Sequence, residues 1–188
     1  MRRTSWLVGL VLAAVSGVAS AAAQTNAGGL APWRFEMTPQ EVVAFQDYGP
    51  YKSFSNGDLE TYAGVFNGHK ENVQFFFKEG KLARIGIYLY EGQDIKAAAA
   101  TWGRAYASLK SMYGRIELPD IHVSGSSSEL APDAVAAAGG ANVDVAGRSQ
   151  MAPIKQPSDK FVFASFRRQN VQGRLFYYVI VYCEPPRG

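Results

Sequence analysis

Three turn pairs, Asn56-Gly57, Asn67-Gly68 and Glu79-Gly80, punctuate a stretch of alternating apolar and polar residues between 51 and 90, and this constrains the fold more than any other feature. Asn-Gly between alternating runs is the strongest short-range hairpin signal, because both residues tolerate the positive φ that a tight turn needs. The spacing predicts four antiparallel strands, near 51–55, 59–66, 71–78 and 81–90. Two further β-rich runs, Phe161 to Arg168 and Arg174 to Cys183, are joined by a Gln/Asn/Gly turn and read as a C-terminal hairpin.

Helix signals flank the meander. Thr38 reads as an N-cap, with Pro39 at the first helical position, Glu41 completing a capping box, and Met37 placed to staple against Val42. Gly49-Pro50 is expected to end that helix about three turns later. Asp94 caps a second helix, in which Ile95, Ala98, Trp102, Tyr106, Leu109 and Tyr113 form one apolar stripe before Gly114. Residues 120–158 change character to an Ala/Gly/Ser/Pro-rich connection, with one short helix near 132–138. The fold class is α+β: a two-layer domain with an antiparallel sheet of about six strands and two main helices packed on one face.

Arg2 and Arg3, the apolar run Trp6 to Val18 and the small residues Ala21-Ala22-Ala23 read as a cleavable export signal. The expected organisation is a signal over 1–23, a flexible mature lead over 24–32, and a single domain over 33–188. Such a chain works in the periplasm or outside the cell, with no membrane insertion after cleavage. Loss of Arg2 and Arg3 leaves 17 basic residues against 16 acidic ones, a net charge of +1. No basic run extends beyond Arg167-Arg168, so the footprint of a nucleic-acid binder is missing. Cys183 is the only cysteine, which excludes an internal disulfide framework, and its apolar neighbours mark it as a buried hydrophobe.

The stretch Phe35-Glu36-Met37-Thr38-Pro39-Gln40-Glu41-Val42, followed by a meander, resembles the "Gly-Met-Thr-x-x-x-Val" helix start of a superfamily of small exported domains. That superfamily includes the secreted β-lactamase inhibitor proteins and the small lipoprotein of the outer-membrane barrel-assembly machinery. The resemblance covers the first helix, and Glu36 stands where the motif has glycine. The chain also lacks the lipoprotein cysteine and the inhibitors' disulfides. The resemblance implies action by binding other proteins.

Searches for catalytic chemistry in the sequence return little. His69-Lys70-Glu71 lacks the second histidine of a zinc-protease helix and falls in a hairpin. Gly125-Ser126-Ser127-Ser128-Glu129 lacks the glycine pattern of a nucleophile elbow and reads as a polar loop beside His122. No metal site, cofactor loop or catalytic set is assigned. Asp58, Glu60, Glu91 and Asp94 fall near strand ends and a helix start, so a small periplasmic hydrolase built on Glu60, Glu91 or His69 stands as the alternative; a glycosidase-like pair would need its carboxylates about 5 to 9.5 Å apart.

Strand parity gives the positive expectation. With Ile85, Ile87 and Leu89 turned to the helices, Arg84, Tyr88 and Tyr90 point away. Val73, Phe75 and Phe77 turn inward and leave Gln74, Phe76 and Lys78 outside. Leu175, Tyr177, Val179, Val181 and Cys183 face the core, sending Phe176, Tyr178, Ile180 and Tyr182 outward. The candidate binding residues are therefore Phe76, Arg84, Tyr88, Tyr90, Phe176, Tyr178 and Tyr182. Five or six rings of about 150–250 Å² each together exceed the few hundred Å² of contiguous apolar patch a soluble monomer usually exposes. Either residues 120–158 cover this face, with Met151 and Ile154 supplying contacts, or a partner does. The expected function is a non-enzymatic recognition or structural domain of the bacterial envelope, binding another envelope protein or, as a structural protein, a second copy of itself.

Overall fold

A computed structural model describes residues 28–120 and 130–187. The expected export signal and the segment 121–129, with His122 and the expected serine loop, lie outside the described residues. The fold is α+β. A small sheet of β1 (Gly29–Leu30) and β2 (Trp33–Arg34) precedes α1 (Pro39–Val43), and the meander follows as β3 (Tyr51–Ser53), β4 (Leu59–Phe66), β5 (His69–Lys78) and β6 (Lys81–Gly92). Then come α2 (Ile95–Tyr113), β7 (Ile116–Glu117), α3 (Pro132–Ala146), β8 (Arg148–Pro153), β9 (Phe161–Val171) and β10 (Arg174–Glu184). The main sheet is antiparallel in the order β3-β4-β5-β6-β10-β9-β8-β7, so the C-terminal hairpin docks directly on the last strand of the meander.

That sheet has eight strands where the sequence predicts six. β8 escapes a propensity reading because Arg-Ser-Gln-Met-Ala-Pro holds no β-branched residue; pairing with β9 from Arg148↔Arg167 to Met151↔Ala164 makes it a strand. Gly29 and Leu30, read from sequence as part of a flexible lead, pair with Arg34 and Trp33.

The first helix is shorter than its start signal promises. Both halves of the Thr38–Glu41 capping box form, with the Thr38 N–H donating to Glu41 Oε2 at 2.7 Å and the Glu41 N–H to Thr38 Oγ1 at 3.3 Å. The α-helix then gives way to a 3-10 turn at Gln46–Tyr48 ahead of Gly49. Just before the cap, the Glu36 N–H donates to the Leu82 carbonyl at 3.0 Å and the Leu82 N–H to the Met37 carbonyl at 2.8 Å, which fastens the helix start to β6. Glu36 holds φ +69°, the left-handed region that glycine occupies without steric cost.

One core lies between the sheet and its helix-side cover. Val73, Phe75, Ile85, Ile87, Val179, Val181, Cys183, Val162, Ala164 and Phe166 form its floor. Over the meander the lid is Trp33, fully buried, its ring 4.8 Å from those of Tyr48 and Phe75. Over the C-terminal half the lid is α2, through Ala98, Trp102, Ala105, Tyr106 and Leu109, with α3 packed beside it. Cys183 is one of the floor residues, and burial pushes its thiol up to about 11. A thiol reagent at neutral pH is therefore expected to label the native protein only as it unfolds; rapid labelling of the folded state would contradict this placement.

α3 runs well past the short helix expected near 132–138. Its Gly139-Gly140 pair looks like loop in sequence, but both glycines are buried against α2. The approach is so close that a Cβ on Gly103 of α2 would lie 2.6 Å from the Pro132 carbonyl oxygen. Gly103→Ala is expected to destabilise by up to about 2 kcal/mol net, because overpacking of about 1–3 kcal/mol outweighs roughly 1 kcal/mol of better helix propensity. A melting curve checks it, and an unchanged or higher Tm would contradict the close crossing.

Candidate functional site

The opposite face of the sheet carries the expected aromatics. Cross-strand register sets Gln74, Gly86 and Tyr182 in one row, running on to Phe163. A second row holds Asn72, Tyr88, Ile180 and Ser165, and continues to Gln150. A third holds Glu91, Tyr178, Arg167 and Arg148. Phe76 stands opposite Arg84, and Phe176 opposite Gln169, at the two ends of the patch.

The rings pack on one another over small residues. Phe76, Tyr88 and Tyr182 converge above Gly86, where an added Cβ would meet their ring carbons at 3.1 to 3.4 Å. Ile180 is fully covered and Tyr182 is 8% exposed, although both belong to this outer face. Tyr182 stacks on Phe163 with ring centroids 5.0 Å apart, and Tyr88 meets Tyr178 edge-on at 6.4 Å. Arginines complete the packing: Arg84 lies 5.5 Å from the Tyr182 ring, Arg167 5.5 Å from the Tyr178 ring, and Arg187 3.7 Å from the Phe161 ring. Burial pushes the Tyr88 hydroxyl up to about 12, and raises Tyr178 and Tyr182 for the same reason, while the Arg167 charge opposes it in all three.

Six of the seven sequence-chosen residues meet here, and Tyr90 does not. β6 carries a bulge opposite Val179/Ile180 that leaves Leu89 without a cross-strand partner and reverses parity beyond it. Tyr90 therefore turns to the helix side, packs against the core and accepts a hydrogen bond from the Asp94 N–H at 3.1 Å. Strict alternation carried one residue past a bulge gives the wrong face.

The described part of the connection, 130–158, does not cover the outer face. α3 lies against α2, β8 joins the sheet, and Met151, expected as a cover residue, is buried in the helix-side core. Ile154 is exposed.

Sequence reasoning missed Phe161, Phe163 and Arg167, although the parity of the run 161–168 was there to be read. Arg148 was hidden because its strand was not recognised. Together Arg148 and Arg167 are the electrostatic peculiarity of the face. They sit directly opposite each other on neighbouring strands, an arrangement that costs energy when uncompensated. Neither has a carboxylate within 4 Å among the described residues, while Glu184 is bound to Arg84 at 2.6 Å and to Arg187 at 3.1 Å, and Glu60 to Lys52 at 2.9 Å. Glu91 is on the far side of Tyr178. Two buried polar atoms on this face, Arg167 Nε and Asn72 Oδ1, have no hydrogen-bond partner among the described residues.

The carboxylates considered for hydrolysis are dispersed. Asp58 accepts the Phe77 N–H at 3.0 Å, and Asp94 caps α2 through the Lys96 and Ala97 N–H groups. Glu60 shares a row with Gln74 and Gly86, whereas Glu91 lies five residues further along β6, roughly 16 Å away at ~3.3 Å per residue. That exceeds the span of about 5–9.5 Å that two cooperating carboxyls require. His69 sits at the β4–β5 turn opposite Phe66, off the row of Glu60. Among the described residues no cluster of His, Cys, Asp and Glu could hold a metal, and no helix is long and apolar enough to cross a membrane. No family model, no curated protein and no solved structure matches the chain.

Proposed function

We propose that this protein is an exported recognition domain that binds a partner protein of the bacterial envelope through the outer face of its sheet. The observation that carries the reading is the aromatic and arginine-rich surface on β5, β6, β10 and β9, which no described element covers. Tyr and Arg are the residue types that most often make binding hot spots, and Tyr88, Tyr178 and Arg167 of this face are half-buried and held by their neighbours. They lose little side-chain freedom on docking. The partner contributes an acidic segment, since among the described residues Arg148 and Arg167 have no counter-charge and Arg167 Nε has no acceptor.

Ring geometry separates this reading from a sugar-binding platform. Stacked and edge-on pairs spend the ring faces on each other and on guanidinium groups, which leaves edges, hydroxyls and arginines for contact. The resemblance of the first-helix motif to exported domains that act by binding proteins points the same way. Capture of a partner by the wild-type protein but not by Tyr178→Glu is the test, and equal capture by both would overturn the proposal.

A further inference from the structure

On the other side of the sheet, a cleft of about 400 Å³ separates the end of the β4–β5 hairpin from α2, within the usual range for small-molecule sites of about 300–1,000 Å³. Thr101, Arg104 and Ser108 recur on α2 at the three- and four-residue spacing that puts them on one stripe facing the hairpin. The Asn67 amide donates to Ser108 Oγ at 3.0 Å and closes one end. Phe66, Ala105 and the bulge residue Leu89 supply apolar wall.

Glu71 and Arg104 bring opposite charges to this cleft without pairing, and the exposed His69 and Lys70 of the hairpin also line it. Glu71 follows the inward parity of Val73, and its cross-strand neighbour is Gly64, which offers no side chain to cover it. Its carboxylate has no cation within 4 Å among the described residues, and burial raises its pKa against the opposing pull of His69 and Arg104. Arg104 Nη2 donates to Thr101 Oγ1 at 2.7 Å, and the Thr101 hydroxyl is already committed to the Ala97 carbonyl at 2.9 Å. This fixes one edge of the guanidinium and leaves its other donors free, with no carboxylate at ion-pair distance among the described residues. A half-buried, unpaired carboxylate is costly, and with the exposed guanidinium of Arg104 on the same cleft both charges are satisfied together by a ligand that brings both counter-charges.

We infer that this cleft binds a small zwitterion of the amino-acid or short-peptide class, its ammonium on Glu71 and its carboxylate on Arg104. The site is separate from the outer face and independent of what binds there. Titration of the isotope-labelled protein with the standard amino acids and dialanine, at millimolar concentrations and followed by amide NMR, tests it. At least one zwitterion is expected to give saturable shifts confined to residues 66–71 and 101–108. The same compound blocked as its N-acetyl amide is expected not to bind. Glu71→Gln and Arg104→Gln should each weaken binding about tenfold or more while keeping native spectral dispersion, since each removes one charge-assisted contact and neither removes core packing. Absence of binding by every zwitterion, equal binding of the blocked compound, or wild-type affinity in both variants would overturn the inference.

Discussion

Tyr178→Glu is expected to abolish partner capture while moving the melting temperature by only a few degrees. Tyr178 occupies the centre of the outer face, between Tyr88 at 6.4 Å, Phe176 at 6.4 Å and the guanidinium of Arg167 at 5.5 Å. An anchor of this kind costs about 2 kcal/mol or more when lost from an interface, which is at least ~30-fold in affinity. A negative charge at that point also repels the acidic segment expected against Arg148 and Arg167. Stability should suffer less: each lost ring contact is worth about 0.5–1.5 kcal/mol, and a glutamate at 178 stands between Arg167 and Glu91, so attraction to the one is offset by repulsion from the other. Arg148→Glu gives a second reading at an exposed side chain, where capture should fall while melting is unchanged or slightly raised, since the like-charge pair with Arg167 becomes an opposite-charge one. If stability collapses in step with capture, the face is a second core and not a contact surface.

Trp102→Ala should be the most damaging single change to the fold. Its side chain is fully buried, its indole lies 5.9 Å from the Phe166 ring, and the backbone of Gly139 passes so close that any side chain there would collide with it. Removing it deletes the contact that joins α2, α3 and the sheet. A buried aromatic truncated to alanine costs about 3–5 kcal/mol; at ~2–4 °C per kcal/mol for a chain of this size, Tm should drop by roughly 6–20 °C. Trp102 Nε1 has no hydrogen-bond partner among the described residues, so none of theirs is lost with the ring. A drop of only a degree or two would mean that α3 docks far more loosely than the glycine crossing implies.

What the sequence made legible was local. Asn-Gly turns and alternation placed the meander, and Asp94 with its apolar stripe placed α2 over Ile95–Tyr113 to the residue. The Thr38 box was read correctly as a start, yet nothing in it encodes length. α1 ends after five residues as the chain turns back toward the sheet: the Tyr51 hydroxyl donates to the Phe45 carbonyl, and the Thr61 hydroxyl to that of Tyr48. Features fixed by distant contacts stayed hidden. β8 owes its conformation to β9, α3 owes its length to packing on α2, and the bulge that turns Tyr90 inward exists only against β10.

For the candidate surface, parity found six of seven residues because a strand alternates regularly until something interrupts it. It could not find Arg148, whose position depends on an unrecognised strand, nor the pairing of that residue with Arg167. The cleft beside Glu71 was equally out of reach. His69-Lys70-Glu71 was visible as a string, but only the fold brings Arg104 and Thr101 of α2 across from it.

Site-specific photo-crosslinking inside the producing cells tests the central claim most directly, with a benzophenone side chain placed at Tyr88 on the outer face and, as a control, at Val145, which is 85% exposed on α3. The account predicts a discrete adduct with a second protein from position 88 alone, lost when Arg148→Glu is added. Crosslinks from position 88 only to the protein's own chain, or the same adducts from both positions, would contradict it.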